Sequence, residues 1–244
     1  MRLMQLKYEL EDLNVVQKLQ HLAHEFQGKI VFSTSFGWED QVITHLIFSN
    51  NINIKVFTLE TGRLFPETYY VWNRTLEVYG KSIHAYYPQT EVVQGMVNSK
   101  GPNSFYESVE NRKECCYIRK IEPLKRALSG NELWITGIRA EQSANRDDMQ
   151  DLEWDEGNQI IKFHPIFNWT LEEVRSYIKS NNIVYNTLHD KGFPSIGCAP
   201  CTRAVQPGED FRAGRWWWED QTKKECGLHE VSKEIVISTE RPKE

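Results

Sequence analysis

The chain has no long apolar run. No stretch approaches the roughly 20 apolar residues that a helix needs to cross a bilayer, and Met1 to Leu10 carries no apolar block of the kind that marks a secretory signal. The expectation from both absences is a cytoplasmic protein with no membrane partner. A surplus of positive charge is also missing: 29 Lys and Arg stand against 34 Asp and Glu, a net charge of -5, which argues against a general nucleic-acid binder. There is no internal repeat and no convincing linker, and the small-residue loop from Ser33 to Gly37 lacks the Gly-Lys-Ser/Thr ending of a Walker motif. Cysteine is scarce, with five residues in 244. In a reducing compartment so few cysteines, most of them in close pairs, point to metal or redox chemistry more than to structural disulfides. With 40% hydrophobic residues, the length suits one large domain, or a domain with a working tail.

Four cysteines form the pairs Cys115-Cys116 and Cys198-Ala199-Pro200-Cys201, while Cys226 stands alone in Lys224-Glu225-Cys226-Gly227-Leu228-His229. Adjacent cysteines are poor disulfide partners, because neighbouring Cα atoms lie about 3.8 Å apart and ordinary disulfides want about 4.4–6.8 Å. A C-x-x-C pair places two thiolates on one turn and is a common metal hook. Together the pairs make a four-thiolate site. Adjacent ligands are awkward around one tetrahedral zinc and easier on the separated corners of an iron–sulfur cluster, so spacing ranks iron–sulfur first, zinc second and unligated core cysteines third. Cys226, with Lys223 and Lys224 before it and His229 after it, has the surroundings that lower a thiol pKa, although an exposed tail cysteine would look the same.

The rest of the chain alternates strands and helices. Leu13 to Phe26 has helical apolar spacing and stops at Gly28. Lys29 to Phe32 reads as a strand, followed by the small-residue loop Ser33-Thr34-Ser35-Phe36-Gly37 and a helix through Val42, Ile43, Leu46 and Ile47. Hydroxyls and amides at such a helix start can face an anion, though any strand-to-helix turn favours Ser and Gly. Ile54 to Leu59 is a second strand, Pro66 to Tyr79 a helix with proline in its first turn, and Ser82 to Tyr87 a third strand. Asn98 to Asn111 reads as a polar loop before a helix from Tyr117 to Leu128. Leu133 to Thr136 is a further strand, Trp154 to Phe163 a hairpin, and Thr170-Leu171-Glu172-Glu173 a capping box that starts a helix. The fold class is therefore α/β, a parallel sheet with helices on both faces and ligands at the carboxyl ends of the strands. Beyond Asn181 regular pattern fades, and Trp216-Trp217-Trp218 is expected to pack the tail or a subunit contact. Lys120, Arg139, Arg146, Arg203, Arg212 and Arg215 could form a cationic site for a small anion inside an acidic molecule. On a continuous helix Lys120 would share a face with Cys116.

These motifs resemble a known family. From Gly28 to His229 the chain is similar to the assimilatory sulfonucleotide reductases, through Ser33-Thr34-Ser35-Phe36-Gly37, Leu59-Glu60-Thr61-Gly62-Arg63-Leu64-Phe65-Pro66-Glu67-Thr68, Thr136-Gly137-Ile138-Arg139-Ala140-Glu141-Gln142-Ser143 and Glu225-Cys226-Gly227-Leu228-His229. The paired cysteines resemble the adenylyl-sulfate branch, whose members bind a [4Fe–4S] cluster, and the phosphoadenylyl branch typically lacks them. The resemblance implies an adenine-nucleotide α-hydrolase-like (PP-loop) fold, with Thr34 and Ser35 standing where ATP-cleaving members have glycines. It implies a substrate-binding set of Ser33, Ser35, Phe36, Gly37, Leu59, Thr61, Gly62, Lys120, Gly137, Arg146, Arg212, Arg215 and His229. It also implies cluster ligation by Cys115, Cys116, Cys198 and Cys201, and Cys226 as the nucleophile.

The activity so implied is reduction of adenylyl sulfate to sulfite and AMP through an S-sulfocysteine, with thioredoxin or a glutaredoxin-like dithiol as reductant and a homo-oligomer among the expected assemblies. The 3′-phosphorylated nucleotide is the alternative substrate. A zinc-bearing PP-loop RNA-binding protein is the alternative from another class. The expected organisation is a helical lead-in at 1–27, a nucleotide-binding and iron–sulfur domain at 28–205 and a tail at 206–244 that carries Cys226.

Overall fold

The central strands are short and apolar on both faces, as strands in a helix-covered parallel sheet must be. In the computed structural model, which describes residues 2–142 and 149–219, β1 (Ile30–Ser33), β2 (Lys55–Leu59), β3 (His84–Tyr86), β4 (Leu133–Ile135), β5 (Leu152–Asp155) and β6 (Ile160–Phe163) form one sheet of order β3-β2-β1-β4-β6-β5. All neighbours are parallel except β5 with β6, which form the expected hairpin. Because β1 pairs with β2 on one side and β4 on the other, the chain reverses its winding there. The crevice beyond the carboxyl ends of β1 and β4 is the topological switch point, where such sheets bind ligands.

Helices α1 (Arg2–Leu10), α2 (Val15–Glu25), α3 (Trp38–Ser49), α4 (Pro66–Tyr79), α5 (Thr90–Lys100), α6 (Val109–Cys116), α7 (Glu122–Leu128) and α8 (Leu171–Ser180) surround the sheet. The larger core joins Leu19, Leu22, Val42, Ile43, Leu46, Ile47, Phe163, Val174 and Ile178, which places α2, α3 and α8 on one face. On the other face Val31, Phe57, Trp134 and Ile160 pack against Leu124, Ala127 and Leu128 of α7. Local signals set several boundaries. Asn14 and Gln17 form a capping box at α2, Thr170 and Glu173 form the expected one at α8, and Gly80 ends α4 at φ 59°. Among the described residues no helix is long and apolar enough to cross a membrane.

Two expectations need correction. The stretch read as a loop from Asn98 to Asn111 contains the end of α5 and the start of α6, the latter capped by Ser108, whose hydroxyl accepts the Asn111 N–H at 3.1 Å. The helix expected to begin at Tyr117 begins at Val109 instead and passes through a π turn, Tyr117–Ile121, into α7. Pro123 explains the widened turn. It has no N–H to donate to Arg119, and its ring would press on that carbonyl in a regular α-helix, whereas the π turn closes through Glu122 N–H to Tyr117 O.

Candidate functional site

The loop after β1 is held tightly before it reaches any ligand. Trp134 Nε1 donates to Ser33 Oγ at 2.9 Å, and Thr34 Oγ1 accepts the Phe36 N–H at 3.1 Å. Phe36 lies at φ 62°, a left-handed conformation that costs about 1–2 kcal/mol in a side chain with Cβ. Its ring is buried and stacked on Trp72 at 5.5 Å, which fixes the turn. Gly37 then caps α3 with no side-chain bond. Ser35 donates both its N–H, at 2.5 Å, and its hydroxyl, at 2.7 Å, to Asp40 Oδ2. Burial pushes Asp40 up to about 6; the Ser35 bonds oppose this and Glu39 adds to it.

The loops after β2 and β4 close the other sides. Gly62 sits at φ 71°, and its N–H donates to Glu60 Oε1 at 2.6 Å. Arg119 from the π turn reaches across to donate to Thr61 O at 2.6 Å. Gly137 has no room for a side chain, because a Cβ there would meet the Asp40 carboxylate and lie 3.2 Å from Glu39 Cβ. Two of the six cations considered together in the sequence serve elsewhere. Buried Arg139 pairs with Glu39 at 2.8 Å and Glu141 at 2.7 Å, and Arg203 pairs with Glu209 at 2.7 Å.

The two cysteine pairs, 82 or more positions apart, meet in one cluster. Cys198 and Cys201 are buried with Phe105 and Trp216, and Cys115, Cys116 and Trp218 pack against them. Cys115 and Cys116 end α6, while Cys198 leads the 3-10 turn Ala199–Cys201, which is docked by Ala199 N–H to Arg63 O at 2.8 Å. Trp216, expected to pack the tail or a subunit contact, packs on the cysteines, and its backbone N–H donates to Cys201 O at 3.1 Å. Burial, with Cys198 adding, pushes the Cys201 thiol up to about 12; Lys120 and Arg215 pull it the other way. Cys115 is also raised, mainly by burial, against the pull of Arg119 and Lys120. Among the described residues no three His, Cys, Asp or Glu side chains form a ready-made single-ion site.

A cavity of about 280 Å³ lies at the switch point beside these cysteines. Ser33, Ser35, Phe36, Gly37, Leu59, Thr61, Lys120, Gly137, Arg212 and Arg215 all line it, and Cys198 forms part of its wall. Gly62 lies one residue beyond the lining, against Arg119. Lys120 is buried, and its charge is felt at Cys115 and Cys201 as well as in the cavity. Gly197 gives Arg215 its place, since a Cβ there would run into the guanidinium. Arg146, Cys226 and His229 lie outside the described residues.

Residues 29–204, more than half of the chain, match the family described as phosphoadenosine phosphosulfate reductase domain. The chain belongs to this reductase family. Among its relatives, adenosine 5′-phosphosulfate reductase of Neisseria meningitidis serogroup A is 52% identical over 81% of this chain and 82% of its own. The protein of the same name from Burkholderia cepacia is 49% identical over 84% and 82%. A crystal structure of phosphoadenylyl-sulfate reductase from Candida auris, a phosphate complex, superposes with a TM-score of 0.70 at 26% identity, covering 83% of this chain and 96% of that one. Yeast FAD synthetase shares the fold alone, at a TM-score of 0.52 and 15% identity over 78% of this chain and 66% of that one. The α/β, PP-loop-like fold expected from the sequence is thus the fold of this reductase family.

Several lining residues of this family member were not anticipated. Asp40, Thr136 and Gln142 stand within or beside quoted motifs and could have been found by extending them. His189 and Phe211 come from the irregular region after α8, where no periodic signal points at the cavity.

Proposed function

We propose that this reductase converts adenylyl sulfate to sulfite and AMP in the cytoplasm, using a dithiol protein of the thioredoxin or glutaredoxin type. One observation carries the reading: ten residues expected to bind the nucleotide line one cavity, and Cys198, clustered with the other three paired cysteines, forms part of its wall. The names of the relatives support it. The adenosine would lie against Leu59, Thr61, Gly62 and Gly137, and the phosphosulfate would lie toward Lys120, Arg212 and Arg215, whose charge offsets that of the sulfate oxygens and of the departing phosphate. The Cys226 thiolate attacks the sulfate sulfur, a new S–S bond forms, the S–O bond to phosphate breaks, and AMP leaves. A dithiol thiolate then attacks Cys226 Sγ and expels sulfite with the bonding pair; its second thiol resolves the mixed disulfide, so the dithiol is oxidised by two electrons as sulfate is reduced to sulfite. Arg146 and His229 complete the proposed substrate set.

Cys115, Cys116, Cys198 and Cys201 suit a [4Fe–4S] cluster. Four largely buried thiols share one apolar wall, and Lys120, Arg119 and Arg215 lie close enough to compensate their ionisation. When bound, the cluster supplies an anionic cross-link between the end of α6 and the 198–201 turn. Lys120, facing both cysteines and cavity, couples that charge to the sulfate end.

The test is Cys226→Ser in protein purified anaerobically, with iron and sulfide analysis. The expected variant keeps the brown chromophore, forms no S-sulfo adduct with labelled adenylyl sulfate and releases no sulfite. Sulfite release from Cys226→Ser with thioredoxin would refute the nucleophile. A kcat/KM comparison of adenylyl sulfate with its 3′-phosphorylated form decides the substrate, and a colourless zinc protein that binds RNA would overturn the whole reading.

A further inference from the structure

His189 occupies the cavity wall in a way that neither the motifs nor the mechanism uses. It sits in the 3-10 turn Thr187–Lys191, whose start is fixed by Asn186: the Asn186 carbonyl oxygen Oδ1 accepts the Leu188 N–H at 3.1 Å, and its amide Nδ2 donates to Thr68 Oγ1 at 3.1 Å. The imidazole stacks on Trp38, the first residue of α3, with ring centroids 3.9 Å apart and planes 16° from parallel. Trp38 also carries the Arg175 guanidinium, 4.6 Å from the ring centroid. Position and plane are both set.

The tautomer is set as well. His189 Nδ1 lies 2.7 Å from the carbonyl oxygen of Phe193, which only accepts, so Nδ1 carries the proton and donates. Nε2 then presents a lone pair, and it is buried with no hydrogen-bond partner among the described residues. Burial pulls His189 down to about 4, so the ring remains neutral at physiological pH. A buried acceptor without a donor is costly, and in the wall of a binding cavity the missing donor is most simply the ligand's.

We propose that His189 is a specificity-determining residue whose Nε2 accepts a hydrogen bond from a neutral donor on the nucleotide. This deepens the nucleotide reading of the cavity and rests on it. The phosphosulfate carries no donor, so the partner is the exocyclic amine of adenine or a ribose hydroxyl. An acceptor at this place also disfavours any nucleotide in which that donor has been replaced by an anionic group.

The test measures binding of AMP, purine riboside 5′-monophosphate, 2′-deoxy-AMP and 3′-deoxy-AMP to the full-length protein by calorimetry, in wild type and His189→Asn. The asparagine amide can keep the bond to Phe193 O but offers no acceptor at the Nε2 position. Wild type should lose about tenfold in affinity for the one analogue that lacks the donor, and His189→Asn should bind AMP about tenfold more weakly and no longer distinguish that analogue. If His189→Asn still discriminates as wild type does, or if wild type discriminates against none of the three, the His189 assignment is wrong while the nucleotide reading stands. If wild type does not bind AMP, the nucleotide reading falls and this assignment falls with it. Should His189→Asn fail to fold, 15N-histidine spectra of wild type give the answer: AMP should move the Nε2 resonance upfield and leave Nδ1 protonated, and an unmoved Nε2 would overturn the proposal.

Discussion

Replacing Asp40 by asparagine should stabilise the protein, and by an amount that depends on pH. Asp40 is buried beneath the cavity, with both Ser35 donors on one carboxylate oxygen, and an asparagine carbonyl can take the same two bonds. Its pKa rises from the ordinary 3.8 to about 6, and burial is the main cause. Between those values the folded chain holds a proton that the unfolded chain has released, so raising the pH removes stability. Below 3.8 there is no penalty, and above about 6 it is complete. At about 1.4 kcal/mol for each pKa unit, the full penalty is about 3 kcal/mol, and at pH 4.5 it is about 1 kcal/mol. Urea denaturation of wild type and Asp40→Asn from pH 4.5 to 8 should therefore show the advantage of the variant growing by about 2 kcal/mol across the range. Acid sensitivity of the cysteine region is common to both proteins and cancels in the difference. A difference that stays flat with pH, or an Asp40→Asn protein less stable at pH 8, would refute burial as the dominant influence on this carboxylate.

Three further outcomes follow from packing. Gly137→Ala drives a methyl group into the Asp40 carboxylate, which its Ser35 bonds hold in place; it should destabilise by about 1–3 kcal/mol and weaken AMP binding, both readable by calorimetry. Gly95→Ala, on the exposed face of α5 with nothing within 4 Å of the new Cβ, should stabilise by about 0.5–1 kcal/mol in urea denaturation and leave AMP binding unchanged. Arg112 and Glu219 form a buried two-bonded pair at 2.8 and 2.9 Å, with the guanidinium over Trp216; Arg112→Met should cost about 3–5 kcal/mol by stranding the Glu219 carboxylate, and adding Glu219→Met should recover most of it in the same assay.

What could be read from the sequence was whatever short-range chemistry announces. The Thr170 capping box, the proline that opens α4, the apolar strands β1 and β4 and the small-residue loop between β1 and α3 all act within a few residues, and each predicted its element. The cavity followed, because a parallel sheet with a reversal at β1 leaves one place for a ligand. α5 and the start of α6 were missed because they bury only Met96 and Arg112, too little for an apolar period to show. Asp40 and His189 were missed for a different reason. An acid two residues into a helix and a histidine in a turn are ordinary in sequence; what singles them out is burial and a bond made across the fold. The same holds for Arg139, which charge alone assigned to an anion and which Glu39 and Glu141 take up.

The π turn between Cys116 and Glu122 sets the phase of a shaft. Cys115 and Cys116 lie before it, Arg119 and Lys120 lie on it, and α7, which fills one face of the sheet, lies after it. The π turn absorbs one residue; wound as a regular α-helix, the same residues would rotate everything upstream by about 100° relative to α7. The first cysteine pair would swing away from Cys198 and Cys201 while Leu124 and Leu128 stayed in register with the sheet. The wide turn is therefore fixed by angle and not by reach. An inserted residue, which would rotate the cysteine pair by about that angle, should be tolerated far worse here than on an exposed turn such as 156–159.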